Sequence, residues 1–291
     1  MNPRLGVPAA ILSSTFGGTA GAVTRLLASG VDPVTLAAFR FGLAFLLLLP
    51  IALLARCRWP GRGDWPGVFL LGLMFFGLFF ILYNYALAYT TAARGAMALS
   101  TLPLATMLVA ALLGIERLTA RKTIGVLIAM AGVAAALAAG FADAPEGAWR
   151  GDAVMMGATL CMALYNCWSR PFVQRSSLLG FLTAGMGAGA ACVALAAWWS
   201  GGFAVVDSFA AGEWVAVAYL GAFGGAAAFY LWVFALARAT PTQVASTMTI
   251  NPVAAALLAA VLLNESVGLP LVLGVAAVGA GIWIATTESR R

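Results

Sequence analysis

The residue types that usually run chemistry in a protein are thin in this chain. It contains no histidine, and its four cysteines, Cys57, Cys161, Cys167 and Cys192, show no CxxC spacing. His-based acid–base catalysis and His metal ligation drop out, and neither a disulfide framework nor a zinc site is indicated. No GxSxG or comparable constellation is present, so the chain does not read as an enzyme and no cofactor is expected. The acidic residues fall at the ends of apolar runs, so a relay carboxylate in mid-membrane is not expected either. What remains is a set of uncharged polar and aromatic side chains in apolar surroundings, which can hold a solute without transforming it.

Those side chains group by segment. Ser13, Ser14, Thr15 and Thr19 lie among Gly17, Gly18 and Gly21 near the start of the chain. Tyr83, Asn84 and Tyr85 form a second group, with Phe229, Tyr230 and Trp232 at nearly corresponding places later on. Tyr165, Asn166 and Trp168 form a third. Gln243, Thr247 and Asn251 recur every fourth residue and share one helix face, while Met97, Ser100 and Thr101 give a softer lining. Ser14, Thr15, Tyr83, Asn84, Met97, Ser100, Thr101, Tyr165, Trp168, Tyr230, Thr247 and Asn251 are therefore the candidate solute contacts. Small residues and amides at depth also serve helix packing, so each has a structural alternative. Pro103 and Pro252 each remove one helical hydrogen bond and are expected to kink their helices. Glu116 and Glu265 sit where a helix gives way to a connection, which favours a structural role. The same holds for Arg40, the most deeply placed charge, which is expected to snorkel or to pair with Asp32 or a carbonyl.

The elements that must position these groups follow from hydropathy. With 63% hydrophobic and 9% charged residues and a mean hydropathy of +0.99, the chain lies outside the range of soluble domains, in which roughly a quarter of residues are charged. Apolar runs long enough to cross about 30 Å of hydrocarbon predict helices near 6–27, 34–55, 67–89, 94–113, 121–140, 151–171, 179–199, 214–237, 242–263 and 269–286. The first run is too long for the apolar core of a signal peptide and is taken as a mature helix. The net charge of +6 reflects Lys and Arg in short loops, not one basic face, so no nucleic-acid partner is expected; the partners are the lipid bilayer and a small solute. Placing the N-terminus in the cytoplasm collects 12 of the 16 basic residues on that side, so both termini are expected there.

Sliding the chain against itself by 149 residues matches 21 of the 66 positions from Leu71 to Ala136. Pro103 falls on Pro252, Glu116 on Glu265, and Gly72, Gly125 and Gly132 on Gly221, Gly274 and Gly281. Duplication explains this, with halves at 1–140 and 150–291. Five helices per half force the second copy to enter the membrane from the other side. The expected fold is thus an all-α integral membrane protein of ten transmembrane helices, two inverted five-helix repeats around a central cavity. A monomer satisfies this architecture.

The run RFGLAFLLLLP from Arg40, the P(x)12E pattern from Pro103 to Glu116 followed by RLTARKTIGVLIAMAGV, and the second P(x)12E pattern from Pro252 to Glu265 resemble the paired EamA domains of the drug/metabolite transporter superfamily. Within it, the aromatic-rich inner segments resemble the bacterial aromatic amino acid exporters of the YddG type. The resemblance implies a ten-helix exporter of amino acids or related metabolites in the bacterial inner membrane. A carrier of cationic drugs or of nucleotide sugars on the same scaffold, and a channel, are the competing expectations.

Overall fold

The computed structural model describes residues 5–27, 30–87, 89–90, 92–137, 146–254 and 269–287. Among them every regular element is helical: α1 (Gly6–Leu27), α2 (Pro33–Leu54), α3 (Trp65–Gly72), α4 (Phe80–Leu87), α5 (Ala92–Leu99), α6 (Leu102–Leu112), α7 (Ala120–Leu137), α8 (Ala148–Arg175), α9 (Leu178–Trp199), α10 (Ala211–Tyr219), α11 (Ala228–Leu236), α12 (Pro241–Ser246) and α13 (Leu269–Thr286). Five stretches of described residues, Pro33–Leu54, Trp65–Ala86, Arg94–Leu112, Leu178–Trp199 and Ala211–Leu236, are long and apolar enough to cross a membrane. Glu265 and the segment 255–263 lie outside the described residues.

Helix starts are fixed by local chemistry. Asp32 accepts from the amides of Val34 (3.1 Å) and Thr35 (3.0 Å), with Pro33 leading α2. Asp32 therefore serves its own helix, while Arg40 turns elsewhere. Ser177 accepts from Gly180 N at 3.0 Å to start α9. Thr240 and Gln243 exchange side chain-to-backbone bonds of 3.1 and 3.3 Å at the head of α12.

Two helical paths widen in the middle, where an extra residue per turn is accommodated. α3 runs through a π-helical stretch, Leu73–Phe79, into α4, and α10 runs through Leu220–Ala227 into α11. These stretches fall at nearly matching places in the two halves. A second matched irregularity precedes each paired proline. The chain breaks at Ser100–Thr101 ahead of Pro103, and tightens at Thr247–Thr249 ahead of Pro252. Each proline lacks the N–H that would bond the carbonyl four residues back, Leu99 or Met248. Hydroxyls also turn onto nearby carbonyls: Ser100 onto Ala96 O (2.7 Å), Thr101 onto Ala98 O (2.6 Å), Thr247 onto Val244 O (2.8 Å) and Thr249 onto Ser246 O (2.8 Å).

Packing between the halves is reciprocal. α2 lies on the Leu220–Ala227 stretch and α9 on the Leu73–Phe79 stretch. α1 packs on α11, and α8 on α4. α7 and α13 form the most extensive helix pair, and glycine makes it possible. A β-carbon on Gly125 would sit 2.7 Å from Gly281 O, and one on Gly281 would sit 2.6 Å from Gly125 O; Gly132 and Gly274 meet in the same fashion at 2.9 Å. Small residues let membrane helices approach this closely. The largest buried cluster centres on Phe41, Phe75, Phe76, Tyr165, Phe181, Leu182 and Met186.

Candidate functional site

The interior between the halves holds a continuous aromatic cluster with polar groups at its margins. Phe75 stacks on Tyr165 (centroids 4.3 Å, 23°) and meets Phe229 edge-on at 5.4 Å. Phe41 lies 4.4 Å from Phe80 and 5.8 Å from Phe229. Tyr83 extends the cluster, stacked 6.0 Å from Phe79. Edge and offset contacts of this kind contribute about 0.5–1.5 kcal/mol each beyond area burial.

Arg40, seven residues into α2, projects into this cluster. Its Nε and Nη2 both donate to Gly224 O, at 3.1 and 2.6 Å, and its guanidinium stands 5.5 Å from the centroids of Phe41 and Phe80 and 5.9 Å from Phe229. Gly224 belongs to the π-helical stretch, where the backbone ladder is interrupted. Of the expected partners for Arg40, a carbonyl is the one realised, and it comes from the other half of the chain.

The sequence-derived candidates fall in distinct places. Ser14 is buried and shares a 2.9 Å hydrogen bond with Thr247, joining α1 to the tight turn after α12. Ser13 beside it donates to Ala228 O at 2.6 Å. Asn251 lies against the same helix: a β-carbon on Gly17 would reach 2.9 Å from its Nδ2, while its buried Oδ1 has no hydrogen-bond partner among the described residues. Ser14, Thr247 and Asn251 thus gather along one face of α1. Thr15 donates to Ile11 O within its own helix at 3.0 Å. Tyr83 and Tyr165 are joined through the aromatic cluster, and the Tyr165 hydroxyl is buried without a hydrogen-bond partner among the described residues. Asn84 donates to Pro33 O at 2.9 Å, tying α4 to the head of α2. Thr101 also contacts Met156 Sδ at 3.4 Å across to α8, and Ser100 is buried on its own helix. Met97 packs on the small cluster of Val133, Val253, Val278 and Ile282 beside the α7–α13 pair, away from the aromatic interior. Trp168 and Tyr230 are exposed, at 42% and 38%. Pro103 and Pro252 stand just past the two breaks described above.

The set of candidate contacts missed a buried hub. Asn166 is fully enclosed; its Oδ1 accepts from Trp232 Nε1 at 3.0 Å, its Nδ2 reaches Thr106 Oγ1 at 3.5 Å, and it thereby links α8, α11 and α6. The signal was present, since Asn166 stands beside Tyr165 in an apolar helix, but only the fold shows which of the two polar neighbours turns inward to a partner. The Glu116 carboxylate, almost buried, accepts from Lys122 Nζ at 2.6 Å and from Thr242 N at 2.8 Å, so one half caps a helix of the other. Asp152 joins Arg94 and Thr90 at the head of α8, and Arg175 pairs with Asp64 at 2.8 Å near its end. Among the described residues no group of three His, Cys, Asp or Glu is placed to hold a metal ion.

Described residues whose regular elements are all helical, with apolar spans and an interior of aromatic and polar groups that admits one arginine, define the class of multi-pass membrane proteins that handle small molecules. The model of the EamA-like transporter family matches twice, over residues 4–138 and 149–287, and the chain belongs to that family. It is 26% identical over 219 residues to a probable terminal-alkyne amino-acid exporter of Streptantibioticus cattleyicolor, covering 72% of this chain and 68% of that protein. It is 25% identical over 223 residues to the uncharacterized transporter YyaM of Bacillus subtilis, covering 75% and 73%. An uncharacterized transporter of Archaeoglobus fulgidus is 26% identical over 165 residues, with 56% of this chain and only 57% of that protein aligned. A solved structure superposes with a TM-score of 0.79 at 23% identity over 99% of this chain and 98% of the other, which establishes a shared fold.

Proposed function

We propose that this chain is an exporter of neutral or zwitterionic amino acids, aromatic or otherwise apolar, and of related metabolites, working by alternating access. In this reading ten spans form two inverted five-helix repeats, both termini are cytoplasmic, and the membrane is the bacterial inner membrane. The observation that carries it is the reciprocity of the packing. Gly125 meets Gly281 as Gly132 meets Gly274, and each half lays its second helix on the π-helical stretch of the other. Two copies related by an axis in the membrane plane can exchange conformations and expose one site to either side. The resemblance to aromatic amino acid exporters and the likeness to the probable amino-acid exporter of Streptantibioticus support the choice of solute.

The proposed contacts are Tyr83, Asn84 and Tyr165 on the aromatic side, with Ser14, Thr15, Met97, Ser100, Thr101, Trp168, Tyr230, Thr247 and Asn251 supplying the remaining lining. The test is uptake of radiolabelled Phe, Trp and Thr, with a cationic drug in parallel, into proteoliposomes with and without a pH gradient. Saturable flux accelerated by solute on the opposite side is expected for an amino acid. Flux of the drug alone, or unsaturable flux, would overturn the reading in favour of a drug carrier or a channel.

A further inference from the structure

Arg40 is a costly group to keep where it is. Seven residues into an apolar span puts it about 10 Å along the helix at 1.5 Å per residue, and a charge at depth costs several kcal/mol unless it is paired. Other cations nearer the helix ends have carboxylates: Arg94 has Asp152, Lys122 has Glu116, and Arg175 has Asp64. Arg40 has none within ion-pair reach among the described residues. Its partners are the neutral Gly224 carbonyl and the faces of Phe41, Phe80 and Phe229. A neutral donor such as Gln would hold one carbonyl at far lower cost.

The guanidinium is also only partly used. Gly224 O takes one N–H from Nε and one from Nη2, which leaves three of the five N–H groups, both of those on Nη1 among them, without an acceptor among the described residues. The side chain is half-buried between the core rings of Phe41 and Phe229 and the partly buried Phe80, so part of the guanidinium is left uncovered by protein. A planar fork with donors to spare in an apolar, aromatic surround matches a carboxylate.

We propose that Arg40 anchors the carboxylate of the transported solute, so that the chain selects α-amino acids and other organic acids whose apolar part lies against Phe80 and Phe229. This rests on the exporter reading above and adds to it a charged determinant that the uncharged candidate contacts lack. Arg40 binds and orients, and takes part in no bond-breaking step.

Three ligands of one shape separate the possibilities: 3-phenylpropanoate, 3-phenylpropan-1-ol and phenethylamine, titrated calorimetrically into the purified full chain in detergent. The acid is expected to bind about tenfold to a hundredfold more tightly than the alcohol or the amine, the factor that charge-assisted hydrogen bonds supply. Arg40→Gln is expected to abolish this preference, and Arg40→Lys to retain part of it. Equal binding of acid and alcohol to the unmodified chain, no binding of the acid, or an unchanged preference in Arg40→Gln would overturn the proposal. Should Arg40→Gln fail to fold, the unmodified chain and Arg40→Lys decide it. Counterflow of radiolabelled Phe is read separately. Flux without a carboxylate preference sinks the anchor and spares the exporter; a preference without flux of any amino acid does the reverse, leaving an acid-binding site for a different solute.

Discussion

Two crossings in this molecule are built from the same parts and do opposite things. α9 lies over α3 and the π-helical stretch that follows it, and α2 lies over the π-helical stretch of the other half. Gly185 and Arg40 each stand seven residues into their helix. At the first crossing Gly185 presses backbone to backbone on Gly72, and Phe75, Phe76 and Phe79 fill the widened turn. At the second, the widened turn is Gly and Ala apart from Leu220 and Phe223, and Arg40 reaches over it to Gly224 O. One copy of the device is sealed and the other holds a charge with donors to spare. The packing is matched at the two crossings while a few side-chain volumes differ, and on the anchor proposed for Arg40 those volumes decide which copy takes a solute.

The comparison can be broken most directly at Gly72. A β-carbon there would overlap the Gly185 carbonyl, and neither partner is a flexible side chain. Gly72→Ala is expected to cost about 3 kcal/mol or more, read as a fall in the thermal unfolding midpoint in detergent. An unchanged midpoint would mean the first crossing is not sealed. Gly224→Ala places its β-carbon 2.7 Å from that of Ala20, and the expected loss is about 1–2 kcal/mol, with α1 yielding part of the distance. Arg40→Lys exchanges a two-pronged bond to Gly224 O for at most one, at about 1 kcal/mol of stability by the same measurement. The smallest effect is the sharpest: a β-carbon on Gly185 comes no nearer than 3.5 Å to Val68 O and 3.6 Å to Gly72 Cα, so Gly185→Ala should leave stability unchanged or raise it by up to about 1 kcal/mol through helix propensity. A large loss from Gly185→Ala together with none from Gly72→Ala would reverse the assignment of which backbone is pinned.

Hydropathy made the helices legible, because 20-odd apolar residues in a row have few alternatives in lipid; α2 and α9 lie where the runs at 34–55 and 179–199 predict them. The paired glycines at 125, 132, 274 and 281 were visible as a repeat, but their meeting one another was not, since a repeat states equivalence and not contact. The π-helical stretches left no trace in the spacing of apolar residues. Apolar residues surround the helix at those places, so a shift of one residue per turn changes no pattern. The partner of Arg40 was illegible for a related reason: Gly224 is 184 residues away, and a backbone carbonyl has no residue type to announce it. Within the stripe Gln243, Thr247 and Asn251, the last two lie along α1, whereas Gln243 is spent on Thr240 N and on Thr286 O, partners that residue spacing does not announce.

The seam between α7 and α13 carries a consequence for ancestry. Because Gly125 faces Gly281 while Gly132 faces Gly274, the surface that each helix offers is the surface that it receives. Such a seam is isologous, the kind that joins two identical subunits. Two free copies of one half could have met along it before any gene linked them, and fusion then had no new contact to invent there. Linked in one chain, two such copies are free to differ, as Arg40 and Gly185 do, each seven residues into its helix.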